Sequence, residues 1–141
     1  NALAKIGITK TNGQVIVTVW GTGEAYREFL YSEDLADACV YLMEKVDAEE
    51  IRRLSPDYFV NVGTGVDIKL KDLVEMVKQV TGFSGTVVYD AAKPEGTPRR
   101  LLDVSKINAL GWKAKTDLEA GIKIVYEAYK HRLREKIAKR I

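Results

Sequence analysis

The sequence predicts an α/β protein in which a few short strands alternate with longer helices. Three observations predict this class. β-branched runs occur at 15–20 and 86–89, apolar residues recur at helical spacing between them, and glycine or proline separates the segments. The helical share is large for so few strands.

The first strand is expected at 15–20, where the run VIVTVW ends in the turn Gly21-Thr22-Gly23. Ser32 is a candidate N-cap for a helix at about 33–47, because apolar residues follow it at the i, i+3, i+4 spacing. Cys39 lies within that apolar stripe. It is therefore expected to be an inert thiol in the core.

A second strand is expected at 58–62, before the turn Gly63-Thr64-Gly65. The apolar spacing between 70 and 80 predicts another helix, with Gly82 as its C-terminal cap. A third strand is expected at 86–89.

The last third of the chain begins with a charged loop at 93–98, since two prolines and a glycine there exclude regular structure. A short helix is expected at 105–110. The run Thr116-Asp117-Leu118-Glu119 is typical of a capping box and predicts the start of the final helix.

Composition narrows the class of protein. With 141 residues and 46% hydrophobic content, the chain can form a core without disulfides or a metal. A single cysteine and a single histidine exclude a disulfide framework and zinc-ligand spacing, so a cytoplasmic setting is expected. No apolar run approaches the roughly 18 residues of a membrane span. Asn1-Ala2 in place of an initiator Met suggests an excised piece of a longer protein.

Charge gives little support to nucleic-acid binding, because the net charge is only +2. The excess of basic over acidic residues is confined to one segment. Residues 130–141 contain six basic side chains and one acidic side chain, so the chain ends in a basic helix and the remainder is mildly acidic.

The sequence motifs that would indicate catalysis are weak. Neither glycine turn continues to the third glycine of a dinucleotide-binding loop. Two Tyr/Lys pairs have the spacing of a short-chain dehydrogenase pair, but no cofactor motif accompanies them, and helix-flank positions explain them better. These pairs are Tyr41 with Lys45 and Tyr126 with Lys130. The chain alone is expected to be inactive, with no catalytic residue, cofactor or metal.

Two clusters suggest ligand binding. Trp20, at a strand end, can cover a ring, and Arg27 can bind phosphate oxygens. The 93–100 segment presents Arg99 and Arg100 beside Glu95, a combination suited to anions and hydroxyls. A buried tryptophan, a surface arginine and a solvated run of charges are the alternative interpretations.

Several of these segments together resemble one family. They are VWGTG at 19–23, YREFLY at 26–31, NVGTG at 61–65, KPEGTPRR at 93–100 and LGW at 110–112. Over about residues 15–130 the chain closely resembles the C-terminal half of GDP-L-fucose synthases. These are extended short-chain dehydrogenases of the NAD-dependent epimerase/dehydratase group.

The resemblance implies a substrate-binding function. The family epimerises GDP-4-keto-6-deoxy-D-mannose and reduces it with NADPH. Its NADP site and catalytic residues lie in a Rossmann half that is expected to be missing here. The resemblance assigns GDP-sugar binding to Trp20, Arg27, Glu95 and Arg100, within a single domain at 15–141 that follows an unassigned segment at 1–14.

The resemblance also sets the expected partners. These are the GDP-sugar, the missing Rossmann half and a second copy of the chain, which would cover apolar residues of the 33–47 helix and the 58–62 strand. Neither nucleic acid nor membrane is expected. Two alternatives remain, namely part of a UDP- or dTDP-sugar epimerase or dehydratase, and a free-standing interaction domain.

Overall fold

The computed structural model describes residues 3–139, and the chain divides into two compact units. The first unit contains the residues up to Arg27 together with Ile68–Arg100. The second contains Glu28–Asp67 together with the residues from Leu101 onward. The predicted mixed α/β class is confirmed. The predicted 15–141 domain is divided between the two units, and the first unit also includes residues before 15.

The first unit begins with a short 3-10 helix, Ala4–Ile6, and a β-hairpin. Strand β1 (Ile8–Thr11) pairs antiparallel with β2 (Gln14–Trp20). The connection is Asn12-Gly13, whose φ angles of 49° and 83° are those of a tight I′ hairpin turn. The predicted strand at 15–20 is thus confirmed as β2, and β1 lies in the segment that the sequence left unassigned.

Two further elements complete the core of this unit. Strand β5 (Thr86–Asp90) is the strand predicted at 86–89 and pairs parallel with β2, giving the order β1-β2-β5. Helix α3 (Leu70–Thr81) ends at Gly82, whose φ of 68° confirms the predicted cap. Helix and sheet line an apolar groove of about 300 Å³, with Val17, Val19 and Val87 on the strands and Leu73, Val74 and Val77 on the helix.

A second, smaller sheet has the strand order β4-β3-β6. Its strands are β4 (Asp67–Lys69), β3 (Tyr26–Glu28) and β6 (Arg99–Arg100). They are too short and too polar to show a two-residue alternation, which is why periodicity did not predict them. β3 and β6 run parallel, with Tyr26 opposite Arg99 and Arg27 opposite Arg100.

The second unit is mainly helical. Its helices are α1 (Ser32–Lys45), α2 (Ala48–Leu54), α4 (Ser105–Ala109) and α5 (Leu118–Ala138), and its buried core consists of Ala38, Ile107 and Trp112. No helix within residues 3–139 is long and apolar enough to cross a membrane.

Two carboxylates of α1 hold this core together. Asp37 accepts a hydrogen bond from the indole Nε1 of Trp112 at 2.8 Å. Asp34, which is buried, accepts from both the amide and the hydroxyl of Thr116, at 2.9 and 3.1 Å. Burial of Asp34 costs little because its carboxylate oxygens are paired, whereas Asp37 is exposed.

The same contacts correct two predicted caps. Thr116 is bonded to Asp34, so Asp117 caps α5 instead, and its Oδ1 accepts from the amide of Ala120 at 2.8 Å. Ser32 is the first residue of α1, and the N-cap position is Tyr31, which makes no side-chain cap.

The strand predicted at 58–62 is wrong. Tyr58 has a left-handed backbone with φ of 55°, and residues 59–62 are irregular. None of the strands between residues 3 and 139 pairs with them. The amide of Asn61 instead donates to the carbonyl of Asp103 at 3.1 Å. An apolar run alone therefore did not make a strand, because a strand needs a hydrogen-bonded neighbour.

The predicted burial of Cys39 is also wrong, because this cysteine is exposed. The buried face of α1 is centred on Asp34 and Ala38, so the apolar stripe containing Leu35, Cys39 and Met43 faces outward. Hydrogen bonding of Asp34 decides the orientation of the helix, and apolar spacing cannot reveal that.

The second glycine turn, 63–65, is built around Glu28. Its Oε1 accepts from the amides of Thr64 and Gly65, both at 2.6 Å, and its Oε2 accepts from the amide of Leu102 at 3.0 Å. A Cβ on Gly63 would lie 2.5 Å from this Oε1. Glycine is therefore required here by the close approach of a carboxylate.

Exposure of Cys39 predicts that a thiol reagent modifies the folded monomer, at low protein concentration, at one site per molecule. Cys39→Ser should change the free energy of unfolding by no more than about 0.5 kcal/mol, as surface substitutions do. Titration with a chromogenic disulfide in native buffer measures the first effect, and urea unfolding measures the second. A thiol that reacts only after denaturation would contradict the assignment.

Gly63→Ala should destabilise the second unit by about 1.5–3 kcal/mol, the range for a lost hydrogen bond to a charged group, since the methyl group displaces the Glu28 carboxylate. Gly121→Ala is the matched control. Its Cβ would meet only ordinary contacts at 3.7 and 3.9 Å within a helix, so it should be neutral or stabilising by up to about 1 kcal/mol. Equal effects of the two substitutions in urea unfolding would refute this account.

Candidate functional site

The turn after β2 needs glycine at two positions. Gly21 and Gly23 have φ of 82° and 77°, which favour glycine. A Cβ on Gly21 would lie 2.9 Å from the Cβ of Glu95, and one on Gly23 would lie 2.6 Å from the ring of Tyr89. The turn is therefore tight, and the loop 91–98 packs directly against it.

Glu95 is held in this turn by hydrogen bonds. The hydroxyl of Thr22 lies 2.7 and 2.8 Å from its two carboxylate oxygens, and the amides of Glu24 and Ala25 donate to Oε1 at 2.9 and 3.2 Å. The bond from Thr22, with those from the amides, lowers the pKa of Glu95. Glu95 is thus an ionised group that the chain itself already binds.

Arg27 and Arg100 come together on one face of the small sheet. They are opposite each other in the parallel β3–β6 pair, so their side chains project to the same side from adjacent strands. Arg27 is half-buried, with Nη1 donating to the carbonyl of Tyr26 at 2.6 Å and Nη2 to the carbonyl of Glu95 at 3.5 Å. Arg100 is exposed. Two arginines on one face of a sheet provide the donors that a multivalent anion needs.

The other face of the same sheet carries cations that are compensated. Lys69 and Lys71 both form ion pairs with Glu24. The hydrogen bonds from these lysines lower the pKa of Glu24 to about 2, and the bond to Glu24 raises the pKa of Lys69. Lys69 also lies 5.6 Å from the ring centroid of Tyr26. The guanidinium carbon of Arg99 lies 5.8 Å from the same ring centroid. Two cations therefore lie near Tyr26, and Glu24 pairs with the two lysines.

Trp20 stands at the end of β2 with 60% of its surface exposed. The ammonium of Lys93 lies 5.8 Å from its ring centroid, within cation–π range. Because Lys93 belongs to the loop 91–98, that loop touches Trp20, the glycine turn and Arg27. The loop thus contains Glu95 and contacts Trp20 and Arg27, and Arg100 follows it on β6 opposite Arg27.

Sequence motifs assigned no role to two residues of this cluster, Thr22 and Lys93. Both lie inside quoted motifs, but their partners are distant in the chain. Thr22 contacts a residue 73 positions away. Only the fold brings such pairs together.

The two Tyr/Lys pairs have structural contacts, which supports the helix-flank interpretation. The hydroxyl of Tyr41 donates to the carbonyl of Leu110 at 2.9 Å. Lys130 lies 4.8 Å from the ring centroid of Tyr126 and forms an ion pair with Glu127. In the part of the chain that the structure describes, no group of three His, Cys, Asp or Glu side chains could hold a metal ion.

NADP does not fit either glycine turn. The amides at 24–25 bind the carboxylate of Glu95, and the amides at 64–65 bind that of Glu28. A pyrophosphate at either turn would meet a negative charge where it needs donors. Neither turn is therefore a site for a dinucleotide.

Comparison with known proteins agrees with the sequence motifs. The model of the NAD dependent epimerase/dehydratase family matches residues 3–63. GDP-L-fucose synthase 1 of Arabidopsis thaliana is 44% identical over 120 residues, a match that covers 85% of this chain and 35% of that protein.

Two solved structures have a similar fold and sequence. A GDP-6-OMe-4-keto-L-xylo-heptose reductase from Campylobacter jejuni is 42% identical, with a TM-score of 0.82 over 93% of this chain and 37% of that one. A GDP-mannoheptose C4 reductase from Campylobacter jejuni, solved with NADP bound, is 44% identical, with a TM-score of 0.72 over 82% of this chain and 35% of that one. The chain therefore spans about a third of the length of these relatives. Over the part that matches, the chain is similar in sequence and fold to enzymes of the NAD-dependent epimerase/dehydratase family.

Proposed function

We propose that this chain binds the nucleotide part of a GDP-sugar, within a protein that epimerises and reduces GDP-4-keto-6-deoxy-D-mannose with NADPH. The pairing of Arg27 with Arg100 is the observation that carries the proposal, because two arginine side chains leave adjacent strands on the same face of the sheet. A diphosphate has the charge and the oxygen spacing to accept from both. The matched GDP-L-fucose synthase and the two reductases are named for reactions on GDP-sugars.

Each residue has a distinct part in this proposal. Arg27 and Arg100 bind the diphosphate, and the exposed ring of Trp20 covers an aromatic or sugar ring of the ligand. Glu95 acts mainly by shaping the turn. Its Oε2 accepts from the Thr22 hydroxyl, whereas the two amides donate to Oε1, so Oε2 can also accept from a ligand hydroxyl.

The contribution of the chain to catalysis is positioning. When the nucleotide is held, the attached sugar is fixed relative to the reacting groups. The reaction then takes place within one ordered complex and does not depend on a chance encounter. NADPH would supply hydride to the ketone and leave as NADP. Since neither glycine turn fits a dinucleotide, we assign that cofactor to residues outside this chain.

The same fold serves other nucleotide-sugars, so base selectivity is the open alternative. A UDP- or dTDP-sugar enzyme would use the same pair of arginines but a smaller base pocket. Preference for GDP over UDP supports the proposal, and the reverse preference supports the alternative.

We also propose that the outward apolar face of α1, and Phe59 in the segment after α2, are covered by another polypeptide. This is either the rest of a longer protein or a second copy. Met43 is 78% exposed and Phe59 is 52% exposed, and Leu35 and Val40 are also exposed. A few hundred Å² of such surface corresponds to several kcal/mol at roughly 25 cal/mol per Å². The isolated chain is therefore expected to self-associate.

Arg27→Ala and Arg100→Ala should each weaken GDP binding by about 1.5–3 kcal/mol, because each removes a charge-assisted bond to phosphate. Isothermal calorimetry measures the loss. Arg53→Ala, an exposed arginine on α2, is the matched control and should bind GDP normally. Unchanged GDP affinity in both site variants would refute the assignment, and so would tighter binding of UDP than of GDP by the unmodified chain.

Sedimentation velocity over a range of concentrations should show the chain as a dimer or larger species at high micromolar concentration. Replacing Met43 and Phe59 together by serine should shift it towards the monomer, because two exposed apolar anchors are lost. Ile124→Ser, which changes an exposed apolar residue of α5, should leave the distribution unchanged. A monomer at every concentration would contradict self-association.

A further inference from the structure

The Thr22 hydroxyl has two hydrogen-bonding roles at the glycine turn. It accepts from the amide of Glu24 at 3.3 Å and donates to the carboxylate of Glu95 at 2.7–2.8 Å. Gly21 and Gly23 on either side are fixed by their φ angles and by close packing. The hydroxyl is therefore held in one place, between the turn and the loop 91–98.

Glu95 connects this hydroxyl to the rest of the site. Its backbone carbonyl accepts from Nη2 of Arg27, and Lys93, two residues earlier, lies over the ring of Trp20. The ends of the loop are bonded separately, since the amide of Lys93 donates to Asp90 and the amide of Tyr26 donates to the carbonyl of Pro98. The middle of the loop is bonded to the turn through the Glu95 carboxylate.

We propose that Thr22 is a positioning residue of the nucleotide site. Its hydroxyl fixes the Glu95 carboxylate in the turn and so orders the middle of the loop 91–98 against Arg27 and Trp20. This inference rests on the proposed function, because it supposes that the nucleotide binds beside those two residues.

The role differs from a general stabilising one. Without the hydroxyl, Glu95 keeps its two bonds from the amides of Glu24 and Ala25, so the turn survives. What is lost is the bond that spans both carboxylate oxygens, and with it the single orientation of the carboxylate. A loop that must be ordered when the ligand arrives lowers affinity, because binding then includes the entropy cost of ordering it.

The test compares Thr22→Val, which keeps the shape and removes the hydroxyl, with Thr22→Ser, which restores it. Thr9→Val, on exposed β1, makes the same change of side chain away from the site. Thr22→Val should lower GDP affinity about tenfold, or about 1.4 kcal/mol, whereas Thr22→Ser and Thr9→Val should stay within about twofold of the unmodified chain.

Two readouts need no nucleotide. NMR titration should show the pKa of Glu95 rising towards its ordinary value in Thr22→Val, because the largest contribution to its lowering is lost. Hydrogen exchange should be faster at the amides of Glu24 and Ala25 in that variant, with protection restored in Thr22→Ser.

A double-mutant cycle tests whether Thr22 acts through Glu95. In a Glu95→Ala background, Thr22→Val should cause no further loss of GDP affinity. Additive losses would overturn the positioning role, and so would unchanged GDP affinity in Thr22→Val. Failure of the unmodified chain to bind GDP would instead contradict the proposed function, and the positioning role would fall with it.

Discussion

The capture of a glutamate carboxylate by a glycine turn is the interaction on which each unit depends. In the first unit the turn after β2 holds Glu95, and in the second the turn 63–65 holds Glu28. Amides that converge on an anion make short, charge-assisted bonds, and only glycine lets the carboxylate come so close. Two glycine turns, neither of which has the third glycine of a dinucleotide-binding loop, are thus occupied by anions of the chain itself.

Charge compensation gives the small sheet two different faces. On one side, Glu24 forms ion pairs with Lys69 and Lys71. Arg27 and Arg100 lie on the other side, where Arg27 donates to backbone carbonyls. The net charge of +2 gives no hint of this separation. The proposed nucleotide site lies on the Arg27 and Arg100 face, and the register of β3 with β6 is what puts both residues there.

Periodicity predicted the elements whose apolar faces decide their packing, such as β2, β5 and α3. It could not predict β3 and β6, because these very short strands depend on partners far along the chain. Asn12-Gly13 is a strong local hairpin signal that could have identified β1. Motif resemblance named the candidate residues of the site. The Thr22–Glu95 bond and the Arg27–Arg100 register required the fold, since each joins residues more than seventy positions apart.

The division into two units has a consequence for how the chain folds and how it can be cut. The polypeptide passes from one unit to the other three times, after Arg27, Asp67 and Arg100. Joining the two stretches of the first unit closes a loop of roughly 40 residues, at an entropic cost of about 3 kcal/mol beyond the constant term. That cost delays the pairing of β2 with β5 until the intervening segment is compact. A protease that nicks the chain once therefore cannot release either unit as an intact folding body, and expressing one alone would require its two stretches to be rejoined by a new linker.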